Sequence, residues 1–164
     1  RSFLLAQEII YVGGGNSFNM LTLWKAHGVD RILKEAWEKG IVLSGLSAGS
    51  VCWFESCLTD SFGPDLQAMK AGLGFLKGSH CPHFDGEERR RPTYTKMVKE
   101  GNLPPGIAAD DGVALVFRGT DLIETVTSRP EAKAWKVDPS GTATAIEPRL
   151  LDPVPRDFPS EEQS

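Results

Sequence analysis

A chain of 164 residues with 40% hydrophobic and 24% charged side chains is long enough to bury one core and has the balance of an ordinary globular domain. Its net charge of −4 comes from scattered acids and excludes the basic footprint of a nucleic-acid binder; Arg89-Arg90-Arg91 is too short a run to change that. No apolar stretch is long enough for a bilayer, no secretory signal opens the chain, and three cysteines (Cys52, Cys57, Cys81) fit a reduced, cytoplasmic setting better than a disulfide framework.

Arg1 is not a methionine, and a strand-like run follows almost at once. If strands of this domain lie upstream, an open sheet edge is expected here. Glu8-Ile9-Ile10-Tyr11-Val12 predicts a buried strand that runs into the turn Gly13-Gly14-Gly15. Asn16 or Ser17 caps the next helix, whose apolar positions Phe18, Leu21 and Trp24 share a face, and Gly28 ends it. A second helix is predicted from Asp30, as N-cap, to Lys39, with Gly40 as its stop. Ile41-Val42-Leu43 is the next buried strand.

Residues 48–54 read as a helix and residues 59–72, with Gly, Pro and Asp, as a loop. A polar helix is predicted over Glu87 to Lys99, with Pro92 near its first turn or breaking it, and a short strand over Ile107 to Ala109. From Val113 onward the pattern is strand and turn: 114–117, 122–126 and 134–137, with Gly119-Thr120-Asp121 suited to a hairpin. Residues 151–164, rich in Pro, Asp and Glu, form a loose tail to a single α/β domain spanning 1–150. Strands alternating with helices predict a three-layer fold: a mainly parallel sheet with helices on both faces and an antiparallel C-terminal extension.

Gly45-Leu46-Ser47-Ala48-Gly49 fits G-x-S-x-G between a predicted strand and a predicted helix. A sharp strand-to-helix turn exposes the serine hydroxyl in a strained conformation, and its flanking positions must be small. The bland reading is a Gly/Ser-rich turn that only packs tightly or binds an anion. A serine nucleophile needs a base, and the histidines are His27, His80 and His83. His27 ends a helix, where a cation is favourable in any case. His80 and His83 lie in Ser79-His80-Cys81-Pro82-His83-Phe84-Asp85, a strand end or loop. His83 is preferred because Phe84 can pack beside it.

A base needs an acid to orient it. Asp110-Asp111-Gly112 follows a strand at its carboxyl end, where open α/β sheets bind ligands. An Asp-Gly turn is the ordinary alternative, and the residues alone leave Asp110 and Asp111 equally open. No histidine follows His83, so a triad cannot run Ser, acid, His as in the common α/β-hydrolases.

Four motifs in this order, Ile10-Tyr11-Val12-Gly13-Gly14-Gly15-Asn16, Gly45-Leu46-Ser47-Ala48-Gly49, Pro82-His83-Phe84 and Asp111-Gly112, resemble the peptidase E family over roughly residues 8 to 138. That family holds aspartyl dipeptidases and, more distantly, cyanophycinase. The resemblance implies a fold like the class I glutamine amidotransferases, with Ser47 as nucleophile, His83 as base and Asp111 as the acid, in a position where the family more often has Glu. It also implies oxyanion donors from Gly14 or Gly15 and from Ala48, and an acyl-enzyme mechanism without metal or cofactor.

Small peptides with an N-terminal aspartate are the implied substrates. Asn16, Arg89 and Arg91 are candidate substrate contacts, since a guanidinium grips a carboxylate with two bonds. The expected partners are a small peptide and, in a homodimer, a second copy, with neither nucleic acid nor membrane. Three rivals stand beside this reading: an esterase or amidase at the same site, a non-catalytic binding or interaction module on the same fold, and a metal site at His80, Cys81, His83 and Asp85.

Overall fold

The computed structural model describes residues 1–152. In chain order its elements are α1 (Ser2–Leu5), β1 (Ile9–Val12), α2 (Ser17–His27), α3 (Val29–Glu38), β2 (Val42–Gly45), α4 (Ala48–Val51), β3 (Phe54–Thr59), β4 (Gln67–Met69), β5 (Leu76–Cys81), α5 (Arg90–Lys99), β6 (Gly106–Ala109), β7 (Val113–Arg118), β8 (Asp121–Thr127), β9 (Ala134–Val137), β10 (Ala143–Ile146) and β11 (Arg149–Leu150).

The strands form three sheets: the pair β1-β2, a six-stranded sheet ordered β10-β9-β6-β5-β3-β4, and a three-stranded sheet ordered β11-β8-β7. Parallel pairings (β1-β2, β3-β5, β5-β6, β8-β11) stand beside antiparallel ones (β3-β4, β6-β9, β9-β10, β7-β8), so the expectation of a mainly parallel sheet is corrected to mixed sheets. The tail assigned to 151–164 lies almost wholly outside the described residues.

Successive side chains of a strand point to opposite faces, and β3 uses both. Cys57 packs with Ile10, Leu21, Leu33, Ala36, Phe54 and Leu76, a core shared by α2, α3, β1 and one face of the six-stranded sheet. Leu58, the next residue, packs with Cys81, Tyr94, Val98, Ala108 and Val137, a second core under α5. The architecture is thus α/β and layered, in keeping with a three-layer fold. On the β1-β2 pair, Ile9, Tyr11 and Val42 lie on the face opposite Ile10 and are exposed, so helices cover only one face there among the described residues.

Local chemistry explains most element ends. Asn16 caps α2, its side chain accepting the Asn19 N–H at 2.9 Å, and Gly28 closes it in the left-handed region at φ 71°. That glycine is also the N-cap of α3, so Asp30 sits in the first turn instead of capping it, where its carboxylate still suits the helix dipole.

The helix expected over 48–54 stops at Val51, and β3 begins at Phe54. A short apolar run has no period that separates helix from buried strand, and pairing with β4 and β5 decides for strand. The loop expected over 59–72 contains β4, which returns antiparallel to β3. Pro92 falls in the first turn of α5, where its missing N–H costs nothing.

Candidate active site

The strand β1 ends in the glycine turn, and β2 ends in the Ser47 turn beside it. Leu46 donates its N–H to the Val12 carbonyl at 3.0 Å, which pulls the two turns together. The closeness explains the glycines. A Cβ on Gly45 would overlap the Gly49 carbonyl, and one on Gly49 would overlap the Val12 carbonyl. A Cβ on Gly14 would sit 3.5 Å from Ser47 Cβ, so the Gly14 backbone lies directly against the serine side chain.

Ser47 has φ 55° and ψ −115°. Ser47 and His83 (φ 57°) are the non-glycine residues with positive φ among those described. Such backbone strain costs on the order of 1–3 kcal/mol and persists where the surroundings over-determine it. At Ser47 the tight β1 contact supplies that constraint. At His83 it comes from Phe84, which is buried at the edge of the Tyr94 ring and donates its N–H to the Ala109 carbonyl at 3.0 Å.

The His83 loop leaves β5 and the Asp111 turn leaves β6, the strand hydrogen-bonded beside it, so the parallel pairing delivers both residues to the same sheet end. His83 Nδ1 lies 2.6 Å from Asp111 Oδ1. Asp110 points elsewhere: its carboxylate accepts the Lys133 N–H and the Trp135 indole N–H, each at 2.9 Å, and partial burial holds its pKa above the usual value. Of the two aspartates, Asp111 is therefore the neighbour of His83.

Ser47, His83, Asp110 and Asp111 line one cavity of about 770 Å³ between β2 and β7. Its far wall is apolar, with Trp53, Phe54, Leu115 and Phe117. His80 also lines it. The ring stacks on Phe54 at 4.8 Å with Nδ1 2.9 Å from the Ile107 carbonyl, and burial pushes its pKa down to about 4. A neutral His80 therefore donates from Nδ1 to that carbonyl. The amides of Gly14, Gly15 and Ala48 donate to no backbone acceptor among the described residues.

The other nominated residues lie apart from the cavity wall. The Asn16 side chain holds Asn19 and donates to the Ser61 carbonyl. Arg89 donates to the Pro64 carbonyl and pairs with Asp65. The Arg91 guanidinium stacks over Trp135 at 4.1 Å. Arg118, at the opposite end of β7 from Asp111, is the cation on the cavity wall among the described residues. His80, Cys81, His83 and Asp85 do not converge: among the described residues no three His, Cys, Asp or Glu side chains are grouped to hold a metal. No described helix is long and apolar enough to cross a membrane.

A family model, that of peptidase family S51, matches residues 1–125. The chain belongs to peptidase family S51. It is also 54% identical over 136 residues to an uncharacterized peptidase, YgaJ, of Bacillus subtilis (strain 168). That match covers 83% of this chain and 58% of the relative, so the chain spans little more than half the length of this relative.

Sequence reading had not singled out Asp85, Gly86 or Arg129 as a group. Asp85 accepts the Asp111 N–H at 2.8 Å, pairs with Arg129 at 3.0 Å, and is followed by a glycine that abuts the Asp111 carboxylate. The Asp-Gly pair after His83 was a visible signal, but it reads as an ordinary turn. Arg129 lies far along the chain and carried no signal.

Proposed function

We propose that this domain carries the catalytic centre of a serine peptidase acting on small peptides, with Ser47 as nucleophile, His83 as general base and Asp111 as the orienting acid. The observation that carries the reading is the 2.6 Å approach of His83 Nδ1 to Asp111 on the wall of the cavity that also holds the strained Ser47. Asp111 accepts the Nδ1–H, which leaves Nε2 as the nitrogen free to take the Ser47 proton.

The serine oxygen attacks the scissile carbonyl as its proton passes to His83. The resulting oxyanion is met by the unengaged amides of Ala48 and of Gly14 or Gly15. His83 then protonates the leaving amine, the C–N bond breaks, and an acyl group remains on Ser47. Water, deprotonated by the same imidazole, releases the acid and restores the serine. The fold we infer is that of the class I glutamine amidotransferases, with serine in place of their cysteine.

The resemblance to peptidase E adds a dipeptidase preference for N-terminal aspartate. A carboxylate held near Ser47 needs a cationic partner, because an unpaired buried charge is costly. Arg89 and Arg91 are engaged away from the cavity, and Arg118 is at its far end. The wall beyond Ser47 instead suits an apolar side chain.

The test is hydrolysis of Asp-X, Ala-X and Leu-X dipeptides by the chain and by Ser47→Ala. We expect the substitution to lower kcat by about 10⁴-fold or more. Full activity in Ser47→Ala would remove the serine mechanism. Cleavage of Leu-X as fast as Asp-X would remove the aspartate preference and leave the mechanism standing.

A further inference from the structure

Three residues outside the proposed triad converge on its acid. Asp85 Oδ1 accepts the Asp111 N–H at 2.8 Å, and Asp85 Oδ2 pairs with Arg129 Nη1 at 3.0 Å. The same Arg129 nitrogen donates to the Asp111 carbonyl at 3.1 Å. The Asp111 backbone is thereby held on both its N–H and its C=O. Arg129 is itself fixed: its N–H donates to Thr127 Oγ1 at 3.0 Å, its Nε donates to Glu131 at 3.0 Å, and its aliphatic stem lies over Gly112.

Gly86 completes the arrangement. A Cβ there would overlap Asp111 Oδ2 and come within 3.0 Å of Asp111 Cγ. The carboxylate therefore rests with Oδ2 against the Gly86 backbone while Oδ1 faces His83. Since Asp85 and Gly86 follow His83 by two and three residues, one short loop carries the base and the group that aims its acid.

We propose that Asp85, Gly86 and Arg129 are positioning residues that clamp Asp111 onto His83. The proposal rests on the triad reading above. Its energetic logic is that Asp85 and Arg129 are each about a third exposed, where an ion pair adds little to stability. Geometry is the larger return: an aspartate has one methylene fewer than a glutamate with which to find the imidazole, so its backbone must be set in place.

The experiment compares Asp85→Ala, Asp85→Asn, Gly86→Ala and Asp111→Asn with the unaltered chain. One readout is kcat and KM on the best dipeptide of the panel. The other is the low-field proton resonance of the His83 Nδ1–H hydrogen bond, which needs no turnover. The clamp predicts that Asp85→Ala and Gly86→Ala lower kcat by about 10²-fold with KM nearly unchanged. In both, the low-field resonance should weaken or move upfield while the melting temperature stays close to that of the parent. Asp85→Asn keeps an acceptor for the Asp111 N–H and should recover part of the loss.

Parent-like kcat and resonance in both Asp85→Ala and Gly86→Ala, with both lost in Asp111→Asn, would overturn the clamp and leave the triad intact. Parent-like behaviour in Asp111→Asn would overturn the triad reading and the clamp together.

Discussion

Two of the three sheets that border the cavity are built differently. The six-stranded sheet is buried on both faces, with Cys57 and Phe54 in one core and Leu58, Cys81 and Ala108 in the other. The β1-β2 pair is buried on the Ile10 face and exposed at Ile9, Tyr11 and Val42. Ser47 comes from the pair, whereas His83 and Asp111 come from the six-stranded sheet. The comparison teaches that the site is a junction. His83 and Asp111 inherit rigidity from a paired ladder, while Ser47 depends on the close turn contact among Val12, Gly45 and Gly49.

The sharpest way to break that comparison is Gly49→Ala, which forces a methyl into the Val12 carbonyl. We expect a loss of more than about 3 kcal/mol, from overpacking against backbone that cannot move aside cheaply. Hydrogen exchange should show β1 and β2 opening first while β5 and β6 stay protected. Uniform opening of both sheets would mean that they form one cooperative unit.

Acid should attack the other region, through His80 on β5. Its folded pKa of about 4 lies below the unfolded value near 6.5. Between these values the unfolded state binds more protons, so the stability present above pH 6.5 falls as pH drops toward 4. The full swing is about 3 kcal/mol. Thermal melts across that range should show the decline, and His80→Gln should flatten it. An unchanged slope in the variant would assign the acid sensitivity to other groups.

A smaller effect separates the adjacent aspartates. Asp110→Asn leaves one acceptor oxygen for the two donors, the Lys133 N–H and the Trp135 indole, and should cost about 1–2 kcal/mol with kcat preserved. A large drop in kcat there would mean that Asp110, not Asp111, serves the imidazole. The smallest effect is expected at Arg1→Ala. Its pair with Glu35 is largely exposed, so the denaturation midpoint should stay close to that of the parent.

The backbone features of the candidate site were legible in the chain because they depend on local demands. A turn that tolerates only glycine at 45 and 49, a strained Ser47, and Phe84 beside His83 as an anchor are short-range facts. The α2 cap and its Gly28 stop belong to the same class. Where a run of residues supports two conformations, locality fails. Phe54 to Thr59 became strand because β4 and β5 pair with it, and the sheets became mixed because β4, β9 and β10 return antiparallel.

The amino-acid sequence carries the family resemblance, the helix and strand positions with strong punctuation, and the expectation that Ser47 and His83 are the residues on which the chemistry turns. Tertiary structure brought Asp111, the aspartate the family resemblance favours, to His83, and it alone decided that Arg89 and Arg91 lie away from the cavity and that Asp85, Gly86 and Arg129 gather on Asp111. The physical reason is the range of the interactions. Caps and glycine turns are settled within a few residues, whereas a hydrogen bond between a β5 loop and a β6 turn exists only after the parallel ladder has brought the two strand ends together.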